Sequence, residues 1–167
     1  LVGEMRDTET AAAVINVAET GHLVLTTGHA PSATQAVERV IDLFPPHERN
    51  LVQARLSSLL LATLCQVLVP RIDGKGRIAA VEVMLGNPAV RNLIREGKIH
   101  QLPNVIRTHA ALGMITLDQA LINLYLKGII STANLFAFGN DRDELEKLSG
   151  AKVESSSLPE ASALHVR

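Results

Sequence analysis

Aromatic side chains are nearly absent: three Phe, one Tyr and no Trp, 2% of 167 residues. Platforms that stack the bases of single-stranded nucleic acids are built from such side chains, so that role is not expected. Cysteine occurs once, at Cys65, which rules out a disulfide within the chain and a four-cysteine zinc site. Neither sign of charge dominates, with 16 Lys+Arg against 17 Asp+Glu and a net charge of −1. There is therefore no basic excess to hold a nucleic-acid backbone or an anionic membrane surface. No apolar run approaches the ~20 residues of a membrane-spanning helix. The nucleophile elbow G-x-S-x-G is missing, and so is the phosphate loop G-x-x-x-x-G-K-[ST]. What is present is 47% hydrophobic and 20% charged residues, enough for a real core. A reducing, cytoplasmic setting fits the cysteine usage.

The pattern predicts alternating strands and helices at first, then helices alone. Leu1 and Val2 read as the end of a buried strand, so the chain is expected to begin inside a domain. A helix over 8–18 follows, with Thr8 as its cap and an alanine run of high helix propensity. The segment 22–27 reads as a short buried strand before Gly28. Ser32 caps a second helix running to about Leu43, which Pro45 and Pro46 end. A third helix from Pro46 is expected to put Leu51, Leu56, Leu59, Leu60 and Leu64 on one face. Strands over 65–70 and 77–84 flank the turn Asp73-Gly74-Lys75-Gly76, an antiparallel hairpin signal. Asn87 and Pro88 then open a helix to Glu96, closed by Gly97. Further helices are expected over 101–111, from Thr116 to Lys127, from Ser131, and over 140–148. The Ser-rich tail 149–167 is expected to be disordered. The order is an α/β pattern, strand and helix segments over 1–86 and a helical region over 87–148.

Two stretches carry candidate chemistry. Glu4 sits at the C-terminal edge of an apolar strand, where open α/β sheets bind ligands. Alone it reads better as a surface acid. His29 changes that reading. If the two strands are parallel neighbours joined by the first helix, Glu4 and His29 reach the same sheet edge. A carboxylate there orients water or anchors a cation, and an imidazole there donates to a phosphate. His22 lies at the other end of its strand, and a structural histidine bonded to a nearby loop explains it equally well. His47, His100, His109 and His165 are scattered and no histidine pair has i, i+4 spacing, so zinc chemistry is not expected. Cys65 reads as a small buried hydrophobe. In Ala89-Val90-Arg91-Asn92-Leu93-Ile94-Arg95-Glu96, the apolar side chains share one helical face. Arg91 and Arg95 are neighbours on another. That is an ordinary amphipathic helix, or a contact surface for a partner.

Three motifs in order resemble those of the ATPases that drive type II secretion and type IV pili. GEMRD, residues 3–7, resembles the Walker B segment. The stretch 18–33 resembles the family's His box, with His22 and His29 at the matching places. AVRNLIREGKI, residues 89–99, is similar to the AIRNLIRE signature of the PilT-like retraction branch, with Val90 replacing Ile. The similarity runs from Leu1 to about Ile130. It implies the C-terminal half of a RecA-like P-loop ATPase domain followed by a C-terminal helical bundle, with the phosphate loop lying upstream. It implies Glu4 as the catalytic glutamate, and His29, Arg6 and His22 at the nucleotide, with Asp7 in the same motif. Ala89 to Glu96 would serve motor function or a partner. Extension and secretion members often carry a four-cysteine insertion; with Cys65 alone, the retraction branch is favoured. The resemblance further implies ATP and Mg²⁺ in the intact protein, a homo-hexamer, and a pilus platform protein as partner. The location would be cytoplasmic and peripheral at the inner membrane. The chain by itself is expected to hydrolyse ATP poorly. The competing expectation is a non-enzymatic helical interaction module.

Overall fold

A computed structural model describes residues 1–151. Of the tail expected to be disordered over 149–167, Ser149 instead ends a helix and Ala151 is buried, while 152–167 lie outside the described residues. Among the described residues are eight α-helices, two 3-10 turns, one two-stranded sheet and one isolated parallel bridge. The described residues divide into two compact units, 1–66 with 81–116, and 67–80 with 117–151. The expected boundary after residue 86 leaves both of its sides in the first unit.

In the first unit the N-terminal segment pairs in parallel with the segment before Gly28, through the bridge Val2–Thr26. Val2 N donates to Leu25 O at 2.9 Å and Met5 N to Thr27 O at 3.2 Å. The crossover between them is α1 (Thr8–Glu19). Asp7, not Thr8, caps it: the Asp7 side chain accepts from Thr10 N, while the Thr8 hydroxyl donates to Leu43 O. An aspartate in extended conformation one residue earlier is the better-placed acceptor. The expected buried strand over 22–27 is reduced to this bridge, and Leu23 and Leu25 are 72% and 60% exposed. An apolar run becomes buried only when other elements lie on it, and no local pattern reports those elements.

Helix α2 (Ala33–Asp42) starts where expected, with the Ser32 side chain accepting from Gln35 N. Helix α3 (Arg49–Leu59) differs from its expected face. Val52 and Ser57 are buried, Leu51 is exposed, and Leu64 belongs to the following strand. Arg55 on α3 reaches Glu19 and Asn16 of α1, each at 2.6 Å. Ala11, Ile15, Phe44 and Val52 form one small core, with Met5 packed against it.

The hairpin joins β1 (Ala62–Pro70) to β2 (Arg77–Leu85). Arg71 N donates to Gly76 O across the turn. The Arg71 guanidinium, with Lys75 N, holds the Asp73 carboxyl down at about 2. Gly86 follows β2 and admits the Leu60 carbonyl where any Cβ would collide with it, and its N–H donates to Leu61 O at 2.8 Å. Helix α4 (Pro88–Arg95) then starts as read, with the Asn87 side chain accepting from Val90 N. The helix expected over 101–111 is broken into a 3-10 turn (Ile99–Gln101), α5 (Leu102–Thr108) and a second 3-10 turn (Ala110–Leu112). Pro103 fits only the first turn of a helix, which places the α-helical start at Leu102. Val37, Ile41, Met84, Val90, Ile94, Leu102 and Ile106 pack into the main core of this unit.

The second unit holds the hairpin tip, α6 (Leu117–Leu126), α7 (Thr132–Phe138) and α8 (Arg142–Ser149). Ser131 caps α7 and Asp141 caps α8. The buried Asp118 carboxyl accepts from Asn140 N at 2.8 Å and Asp141 N at 2.9 Å, tying α6 to the start of α8. No described helix is long and apolar enough to cross a membrane.

Candidate functional site

The site builds from the parallel bridge outward. Met5 turns into the small core, and Glu4 and Arg6, two residues apart, project together to the other side. The Arg6 guanidinium meets a Glu4 carboxylate oxygen at 2.6 Å. The other Glu4 oxygen lies 3.1 Å from His29 Nε2. Glu4 and His29 thus share one edge at the ends of paired parallel segments. The Thr27 hydroxyl donates to Gly3 O and clamps those two ends together.

Charge around Glu4 is mostly positive. The Arg6 hydrogen bond is the largest cause of its lowered pKa, with the charges of Arg6, His29 and Arg39 adding to it. A carboxylate so held stays ionised near neutrality and accepts hydrogen bonds without becoming a donor. Glu4 is 19% exposed, whereas Arg6 and His29 are 74% and 78% exposed. The acid is shielded, and its partners, the Arg6 guanidinium and the His29 imidazole, face outward. That is a suitable arrangement for meeting an anion while keeping a carboxylate at its base.

His22 does not join this group. Its Nδ1 lies 2.9 Å from the Thr20 hydroxyl, the local loop bond that was the alternative to a site role. Asp7 is spent on the α1 cap. Cys65 is buried, and loss of solvent together with the Glu82 charge pushes its thiol up to about 11. Among the described residues no cluster of three or more His, Cys, Asp or Glu could hold a metal ion.

The second candidate stretch forms α4. Val90 and Ile94 are fully buried in the main core. Arg91 and Arg95 are not an unpaired couple: Arg91 Nε donates to Gly86 O at 2.7 Å, and Arg95 is exposed. Asn92 donates to Glu96, which also pairs with Lys98 at 2.8 Å. Ala89, Asn92 and Leu93 form one wall of an open groove of about 330 Å³. Gln101, Asn104, Val105 and Thr108 form the other.

Two residues near the site escape sequence reading. Arg39 of α2 donates to the His29 carbonyl at 3.1 Å. Glu82 of β2, buried, accepts from Ala33 N at 2.7 Å. The one available signal was a charged residue at an inward position of an apolar strand.

A family model described as "Type II/IV secretion system protein" matches residues 1–134. The type IV pilus retraction ATPase PilT of Pseudomonas aeruginosa is 49% identical over 134 residues, 80% of this chain and 39% of that protein. The type IV pilus ATPase PilU of the same organism is 39% identical over 171 aligned positions, 99% of this chain and 45% of that protein. The crystal structure of the pilus retraction motor PilT with bound ADP superposes with a TM-score of 0.75 at 38% identity. That superposition covers 87% of this chain and 41% of that one. The chain spans less than half the length of these relatives.

Proposed function

The chain belongs to the type II/IV secretion system protein family, and from that premise we propose that it forms the Walker B and His-box part of a pilus retraction ATPase. The observation that carries the proposal is the 3.1 Å contact of Glu4 with His29 at the ends of parallel-paired segments. Glu4 orients the attacking water, or holds the water shell of a phosphate-bound cation. His29 Nε2, beside it, donates to the terminal phosphate and reports its presence. Arg6 fixes the Glu4 rotamer and keeps it ionised. Mg²⁺, when bound with ATP, would neutralise charge developing on the transferred phosphoryl group. His22 stays a loop histidine that steadies the turn after α1.

The stretch Ala89 to Glu96 contributes elsewhere. Its buried half fastens α4 to the core, and its outer half walls the groove with α5. That supports a docking role in the assembled motor: a homo-hexamer at the inner face of the cytoplasmic membrane, acting on a platform protein.

The phosphate loop is absent from this sequence, and its backbone N–H groups and lysine hold the phosphates in such enzymes. The test is a chimera in which residues 1–134 replace the matching segment of the P. aeruginosa PilT relative. It should turn over ATP, keep doing so with Arg95→Ala, and far exceed the isolated chain. A chimera that folds and binds ATP yet never hydrolyses it would refute the proposal.

A further inference from the structure

The buried carboxyl of Glu82 is costly where it stands. The inward positions of β2 are Ala80, Glu82 and Met84, and an apolar residue would fill the middle one without giving up hydration. The carboxyl instead accepts a hydrogen bond from a helix start. Its Oε1 accepts the N–H of Ala33, the first residue of α2, at 2.7 Å and across 49 positions of sequence. Ala33 is itself fully buried, so the bond is shielded from water. A helix start presents unpaired N–H groups and the positive end of its dipole, and an acid suits both.

The four residues before Ala33 are His29, Ala30, Pro31 and Ser32. This loop is exposed or half-buried and has no strand pairing of its own. Hydrogen bonds fix it at both ends. Met5 N to Thr27 O holds the chain just upstream, Arg39 to His29 O holds its first residue, Gln35 N to the Ser32 side chain holds its last, and Glu82 to Ala33 N holds the helix start that follows. The last of these reaches into the hairpin, at β2.

We propose that Glu82 is a positioning residue: through the first N–H of α2 it fixes the His29 loop so that His29 Nε2 faces Glu4. Its relevance to hydrolysis rests on the reading of Glu4 and His29 given above. The geometry itself does not, and the test uses no nucleotide.

The test uses this whole chain and two NMR readouts, the side-chain ¹⁵N signals of His29 and amide exchange over 29–36. Glu82→Leu keeps the volume and removes the acceptor; Glu82→Gln keeps both. Glu4→Ala supplies the reference for a His29 without its partner. Glu82→Leu should move the His29 signals to that reference and speed exchange over 29–36 about tenfold relative to the α4 amides. Glu82→Gln should restore both. If Glu82→Leu lowers stability evenly but leaves the His29 signals in place, Glu82 is a packing residue and the proposal falls. If that variant does not fold, Ala33→Pro removes the same donor at the helix position proline tolerates best, with the same two outcomes. Failure here would leave the catalytic reading untouched, because Glu4 and His29 could still meet.

Discussion

At the scale of single residues, the account turns on how Glu4 is held. Its pKa is depressed chiefly by the Arg6 hydrogen bond. The sign follows from linkage. A carboxyl whose folded value is lowered contributes its full share of stability above the ordinary carboxylate range. That share is lost as pH falls through the folded value. Arg6→Ala removes the largest cause, so the Glu4 titration midpoint should rise toward the ordinary value, read from its side-chain ¹³C shift. An unchanged midpoint would mean that His29 and Arg39 hold the charge without Arg6. The pairing of Glu4 with His29 was legible in the sequence, because a crossover helix of this length joins parallel neighbours and parallel strands end at one edge. Glu82 and Asp118 were not legible. Each carboxyl satisfies the start of a helix far along the chain, and no local spacing reports such a bond.

Elements were read best where their ends are written in nearby side chains. Ser32, Asn87 and Ser131 cap the helices they were expected to cap. The hairpin turn was equally plain, since Gly74 and Gly76 take positive φ on either side of Lys75. Reading failed where burial decides. The third helix hides Val52 and Ser57 rather than a leucine face, and the run over 22–27 is left exposed. Hydrophobicity says that a side chain prefers cover, not which element supplies it. In α4 both kinds of information agree. Val90 and Ile94, one turn apart, are fully buried, while Asn92 and Arg95 face out. Ile94→Ala should therefore cost about 2–5 kcal/mol in urea unfolding. A loss under about 0.5 kcal/mol would mean that this face carries little of the core.

For the whole molecule, family membership and the α/β framework agree with the sequence motifs, and the chain covers under half of its relatives. The phosphate-holding loop is not in this sequence, so under the proposed function the groups that hold the phosphates come from outside it. That division gives the central claim a sharp form: this edge governs hydrolysis and not nucleotide affinity. The most direct measurement compares ATP binding and single-turnover hydrolysis in the PilT chimera with and without Glu4→Gln. The account predicts that binding is retained while hydrolysis falls on the order of 10²-fold or more. Hydrolysis that survives the substitution at its original rate would contradict it.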